Sequence, residues 1–248
     1  MPIKKLLQTL PERSLGQFIK TTASIKMGDT LNRVSQHFGD NMPPTVSADE
    51  LKLPDTKIAH EATEYASSLL SNTPTIFRHS LRTYMFGICI GKCLDELALI
   101  DREQFYLSCV LSKIGLSDDL RDLASNRKRD FELVGADHAY SFLTHSEMAY
   151  EKSKAQQVHE AIALHTSTGT VDLMHPQFSL LYKAYLLDII GAYKYNVRRE
   201  VIDAICKQYP RDGFSAELKE LYQREPRESK ITADMASGLG TLIAFNPL

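Results

Sequence analysis

The chain has 248 residues, 43% of them hydrophobic and 24% charged, with a formal net charge of -2. That length fits one large domain or two small ones, and a near-neutral balance gives no electrostatic footprint for nucleic acid. No apolar run approaches the roughly 18 residues of a membrane span, and the N-terminus lacks the apolar core and cleavage site of a secretory signal.

Residues 1–50 are richer in Ser, Thr, Gly and Lys and end near Met42-Pro43-Pro44. They read as an amphipathic extension followed by a loop, suited either to covering a pocket mouth or to contacts within a homo-oligomer. Residues 51–224 carry helical periodicity almost throughout. Leu81, Tyr84, Met85 and Ile88 form an i, i+3, i+4, i+7 stripe, Val158, Ile162 and His165 a second, and Leu180, Ala184, Leu187 and Gly191 a third. Alternating β-branched runs are nearly absent, so the predicted fold class is all-α with one main domain. Pro74, Gly115, Gly135, Gly169, Pro176, Pro210 and Gly213 fall where helix ends are expected. Residues 225–248, with Gly238-Leu239-Gly240, read as a mostly irregular tail that packs on the domain. The four cysteines, Cys89, Cys93, Cys109 and Cys206, form no CxxC pair and read as reduced thiols of a cytoplasmic protein.

Polar residues inside apolar helices are the informative ones. Lys113 sits in SCVLSKIGLSDD (108–119), between Leu111 and Ile114. A lysine there is costly unless it is paired or reaches water. Asp188 interrupts YLLDIIGA (185–192) and needs a cation or hydrogen-bond donors for the same reason. His79 opens a long helix in FRHSLRTYMFG (77–87), and His165 closes one in EAIALHTSTG (160–169). His37, His60, His145 and His175 lie in polar or loop contexts. The plain structural readings are a Lys113 that snorkels to solvent, a water-bridged Asp188, a His165 that meets its helix dipole, a helix-face His138 and a first-turn Glu132.

The ordered motifs FRHSLRTYMFG, LSKIGL (111–116), DFELVGADHAYSFL (130–143), EAIALHT (160–166) and LLDIIGA (186–192) resemble the HD-domain superfamily, nearest its cyanamide hydratase-like and HD phosphohydrolase-like branch. LPDTKIAHEATEYA (53–66) and YPRDGF (209–214) add to the match, which spans about residues 53 to 224. The resemblance implies a helical bundle whose divalent metal is held by a His on the first long helix, an adjacent His-Asp pair at a helix end, and an Asp on a later helix. His79 and Asp188 match the first and last. Ser112 and Lys113 stand where the His-Asp pair belongs.

A divalent ion needs lone pairs from imidazole or carboxylate. Serine is a poor substitute, and protonated lysine repels a cation. No metal and no other cofactor is therefore expected, and Lys113 is predicted to place its ammonium in the metal position and pair with Asp188. Three readings follow. The first is a metal-independent small-molecule enzyme of hydratase, lyase or proton-transfer type, with Lys113, His79, Asp188 and His165 as catalytic candidates and Ser112, Glu132, Arg82 and His138 lining the pocket. The second is an inactive pseudoenzyme that binds a ligand or protein. The third is a metal-dependent hydrolase with a shifted site built from His79, Asp188, His165 and Glu132.

Overall fold

The computed structural model describes residues 42–123, 128–145, 150–167, 175–226, 228–235, 239–244, 246 and 248. Most of the N-terminal extension, with His37, lies outside them, as do the expected breaker Gly169 and Gly238 of the tail. Among the described residues the chain is all-α, with no strand.

Helix α1 (Lys57–Leu69) starts at Thr56, whose hydroxyl accepts the Ala59 N–H. Helix α2 (Pro74–Cys93) begins on a proline at its first turn, where the missing N–H costs nothing. It is the axis of the bundle, buried on nearly every side from Thr75 to Gly91. Helix α3 (Arg102–Val110) is capped by the Asp101 carboxylate, which accepts the N–H groups of Glu103 and Gln104. Gly87 of α2 lets α3 approach: a Cβ there would lie 2.3 Å from the Phe105 ring.

The segment after α3 tightens at once. Leu111 ends the helix, Ser112 and Lys113 form a turn, and a 3-10 turn covers Ile114–Leu116. The short α4 (Asp118–Arg121) follows, then α5 (Phe131–His145) and α6 (Lys152–Leu164), which pack along each other. Helix α7 (Pro176–Ile190) lies along α2 and ends on Gly191, left-handed at φ 73. Helices α8 (Arg199–Gln208) and α9 (Phe214–Gln223) both pack on α2.

Two expectations are corrected. Gly135 does not end a helix; it lies inside α5, where its missing side chain admits the backbone of Gly115, and a Cβ on Gly115 would meet the Phe131 carbonyl oxygen at 2.0 Å. The signal for a breaker was a close approach of two backbones. The tail is also more regular than expected, with short helices α10 (Lys230–Asp234) and α11 (Gly240–Ala244), the second packed on α7 and α9.

Candidate active site

Asp188 lies in the last turn of α7, fully buried, and the core of the bundle closes around it. Arg82, three residues after His79 on the same face of α2, reaches it with Nε at 3.0 Å from both carboxylate oxygens and Nη2 at 2.8 Å from Oδ2. His79 Nδ1 lies 2.6 Å from Oδ2. Arg211, from the loop before α9, donates to Oδ1 and also to the Asp188 carbonyl at 2.6 Å. Asn246 donates to the same carbonyl at 2.8 Å. Burial alone would push the Asp188 carboxyl up, but the two guanidiniums and His79 hold it well below the usual carboxylate range.

The YPRDGF segment supplies this clamp. Arg82 Nη1 donates to the carbonyls of Tyr209 and Pro210, at 3.0 and 3.1 Å, which fixes the loop. Gly213, left-handed at φ 79, then turns the chain into α9. The Phe214 ring lands 4.9 Å from the His79 ring, nearly parallel, and lies under both guanidiniums at 5.0 and 5.1 Å. Burial pushes the His79 imidazole down to about 4, against the pull of Asp188, and Lys113 and Arg82 add to the lowering. His79 is therefore neutral near pH 7, and its Nδ1–H donates to Asp188.

Lys113 occupies a second, adjoining cluster. Its side chain is fully buried, and Nζ lies 2.7 Å from His165 Nε2 and 3.4 Å from the Tyr222 hydroxyl. The rings of Tyr185, Phe131 and Tyr222 surround it at 4.4, 4.9 and 5.9 Å. Such faces attract a cation through the negative quadrupole of the ring. His165 Nδ1 lies 2.6 Å from the Ile162 carbonyl, which can only accept, so Nδ1 carries the proton and Nε2 accepts from the lysine. Tyr185 joins the clusters, with its ring edge-on to His79 at 6.2 Å and to His165 at 5.4 Å. Burial raises the hydroxyl pKa values of Tyr185 and Tyr222 far above that of an ordinary tyrosine, so both stay neutral.

The predicted Lys113–Asp188 ion pair is corrected: arginines 82 and 211 take the carboxylate, and the ammonium turns to His165 and the aromatic box. The snorkelling alternative fails as well, since Lys113 has no exposed surface. Of the other predicted pocket residues, Arg82 is at the centre. Glu132 is buried in the first turn of α5 and accepts from the Thr166 hydroxyl at 2.5 Å, beside His165. Ser112 is buried but donates to the Cys109 carbonyl at 2.8 Å, closing the end of α3. His138 is not part of the site. It is half-buried and lines an open hollow of about 300 Å³ with Tyr65, Ser141, Phe142 and His145. Sequence reading missed Arg211, Phe214, Phe131, Tyr185 and Tyr222. Arg211 lay inside a matched motif, and Tyr185 lies three residues before Asp188.

The metal implied by the resemblance finds no fitting ligand set. Both Asp188 oxygens carry guanidinium donors, His79 turns an N–H toward Asp188, Ser112 faces a backbone carbonyl, and Lys113 brings positive charge. Among the described residues no three His, Cys, Asp or Glu side chains are grouped to hold a metal ion, and no helix is long and apolar enough to cross a membrane.

No protein-family model matches the chain. Over 161 residues it is 27% identical to cyanamide hydratase DDI2 and, equally, to cyanamide hydratase DDI3, both of Saccharomyces cerevisiae. The match covers 64% of this chain and 68% of each relative. By sequence, then, this all-α chain with a buried Asp-His-Arg centre and a boxed lysine has a cyanamide hydratase-like relationship.

Proposed function

We propose that the chain is an HD-type, cyanamide hydratase-like enzyme whose central site adds water to a small nitrile-like or carbonyl compound without a metal ion. The observation that carries this reading is the 2.7 Å contact of Lys113 Nζ with His165 Nε2 inside a fully buried aromatic box. Buried charge is a poor source of stability: well-packed apolar residues of the same volume serve as well or better. A buried acid beside a base with a pinned tautomer is, in contrast, the equipment of proton transfer.

On this reading the substrate nitrogen displaces His165 as the acceptor of a Lys113 proton. Water attacks the nitrile carbon, its oxygen forms the new C–O bond, and one C≡N π pair moves to nitrogen, which takes the Lys113 proton. His165 Nε2, freed of the lysine, takes the proton that water loses. That proton then returns to Lys113 over the 2.7 Å contact, and the imidic acid tautomerises to the amide. Tyr222 and Tyr185, linked by a 3.3 Å hydroxyl contact, orient the ammonium. Arg82, Arg211 and His79 hold Asp188 and the loop. The Arg211 side chain is itself partly exposed.

The test is urea formation from cyanamide by chelator-treated protein, followed by a panel of small nitriles. Turnover should survive chelation and fall about 10²- to 10⁴-fold in Lys113→Met and in His165→Gln, the range for removing an acid or a base. Turnover that appears only on adding metal overturns the reading. Complete burial of His79, Arg82, Lys113 and Asp188 favours a second reading, a non-catalytic scaffold. Absence of turnover by folded protein across the panel selects it.

A further inference from the structure

Glu225, just past the end of α9, is a buried carboxylate that the proposed chemistry does not use. It forms part of the wall of a half-open cleft of about 360 Å³ together with Leu116, Asp118, Arg121, Asp122, Leu221 and Arg224. Its side chain is only 2% exposed. One oxygen lies 3.2 Å from Arg121 Nη2, and the other accepts the Phe131 N–H at 3.1 Å. That N–H belongs to the first turn of α5, where a carboxylate is favoured by the open donors and the helix dipole. The Glu225 N–H in turn donates to the Tyr222 carbonyl at 3.4 Å. Phe131 and Tyr222 are two of the three aromatic walls around the Lys113 ammonium, and their rings stack at 5.7 Å. The carboxylate therefore holds the backbone of one wall, Phe131, from outside, and the Glu225 backbone meets that of the other, Tyr222, with a solvent cleft behind the side chain.

We infer that Glu225 is a positioning residue for the Lys113 box, and that its protonation from the cleft loosens Phe131, whose ring stacks on that of Tyr222, and so changes how the ammonium is held. This rests on the reading of Lys113 as the working cation of the site. The surroundings of Glu225 set where the change falls. Burial pushes it up to about 7, Glu132 of α5 and Asp130 just before it push the same way, and Arg121 and the Phe131 N–H oppose them. From α4 and the residues after it, Asp118 and Asp122 also face the cleft; Arg224, at the end of α9, is turned to Glu220 at 2.5 Å and to Asp118 at 3.6 Å. The tyrosines on the inner side stay neutral through this range. Lowering the pH through about 7 thus removes the Arg121 ion pair, and the Lys113 ammonium against the Phe131 ring reports it.

The experiment follows the Lys113 ζ-nitrogen by NMR in the full chain from pH 5.5 to 8.5, alongside kcat/KM on cyanamide. The expected result is a Lys113 resonance that moves with a midpoint near 7 and becomes flat in Glu225→Gln. Glu225→Asp, which keeps a carboxylate, should keep a midpoint. Should Glu225→Gln fail to fold, Arg121→Gln, which removes the main opposing charge, should raise the midpoint by about one pH unit. A Lys113 resonance that stays flat in the wild-type chain, or a midpoint left unmoved by these substitutions, overturns the inference. A moving resonance with no turnover leaves Glu225 as a positioning residue and removes the hydratase reading, so the two fail separately.

Discussion

Replacing Asp188 by asparagine takes away the one charge that two guanidiniums share, and the cost can be bounded from the geometry. Arg82 is fully buried and spends three hydrogen bonds on this carboxylate. Breaking a buried pair by removing one partner leaves an uncompensated charge and costs about 3–5 kcal/mol. In a chain of this size each kcal/mol moves the melting midpoint by roughly 2–4 °C, so Asp188→Asn should melt about 10 °C lower. Lys113→Met is a different case. It strips the His165 acceptor, a loss of about 1–3 kcal/mol, but also removes a buried ammonium whose desolvation costs several kcal/mol. Methionine keeps most of the stem, so the net loss should be about 0–2 kcal/mol. The assay is chemical denaturation of the single variants and of two doubles, Asp188→Asn with Arg82→Met and Asp188→Asn with Lys113→Met. Contacting residues couple by about 0.5–3 kcal/mol. The Arg82 cycle should give a coupling near the top of that range and the Lys113 cycle a clearly smaller one. Equal coupling in the two cycles would mean that Lys113 is an Asp188 partner after all, and the assignment of two separate clusters would be wrong.

The buried neutral imidazole of His79 makes the fold acid-sensitive in a defined window. Its folded value of about 4 lies below the unfolded 6.5, so the unfolded chain binds the extra proton; stability is fully present above 6.5 and drops by about 3 kcal/mol as pH falls to 4. His79→Gln should flatten that slope in denaturation curves taken across the same window. Gly115→Ala should fail to yield soluble folded protein, because its Cβ would sit 2.0 Å from a backbone oxygen of α5 that has no room to retreat. Arg211→Met should cost only about 1–2 kcal/mol in the same denaturation assay, since Arg82 still holds Asp188 and the Arg211 side chain already reaches solvent.

Helix content, the buried faces of α2 and α7, and the three polar intruders His79, Lys113 and Asp188 were legible because periodicity and burial cost act locally. Arg82 was legible for the same reason, one turn beyond His79. Partner choice was not. Periodicity brings Lys113 and Asp188 toward one core, but the turn at 111–113 decides where the ammonium points, and that turn is held from another helix through Gly115 against Gly135. His138 was expected in the pocket beside Glu132, and both lie on α5. Six residues on a helix amount to about 240° of rotation, so when Glu132 faces the core His138 looks away. Arg211 was hidden because loops present no face to read. Its position depends on Arg82 binding the carbonyls of Tyr209 and Pro210.

On the proposed HD-type reading Ser112-Lys113 stands where a ligand pair belongs, which taken alone resembles decay: ligands lost and a repelling charge gained. On that same reading the surroundings favour a rebuilt centre. A metal site emptied by decay would leave Asp188 as a buried carboxylate needing a cation. Here Arg82 and Arg211 deliver two positive charges to it, as many as a divalent ion would, with directional hydrogen bonds to both oxygens. Lys113, no longer needed for that balance, is held instead by a lone pair and three rings, which bind a cation without neutralising it. Charge satisfied in one cluster and left available in the next is a division of labour. The first cluster fixes the helices and the 209–213 loop, and on the proposed reading the second supplies the proton of the reaction.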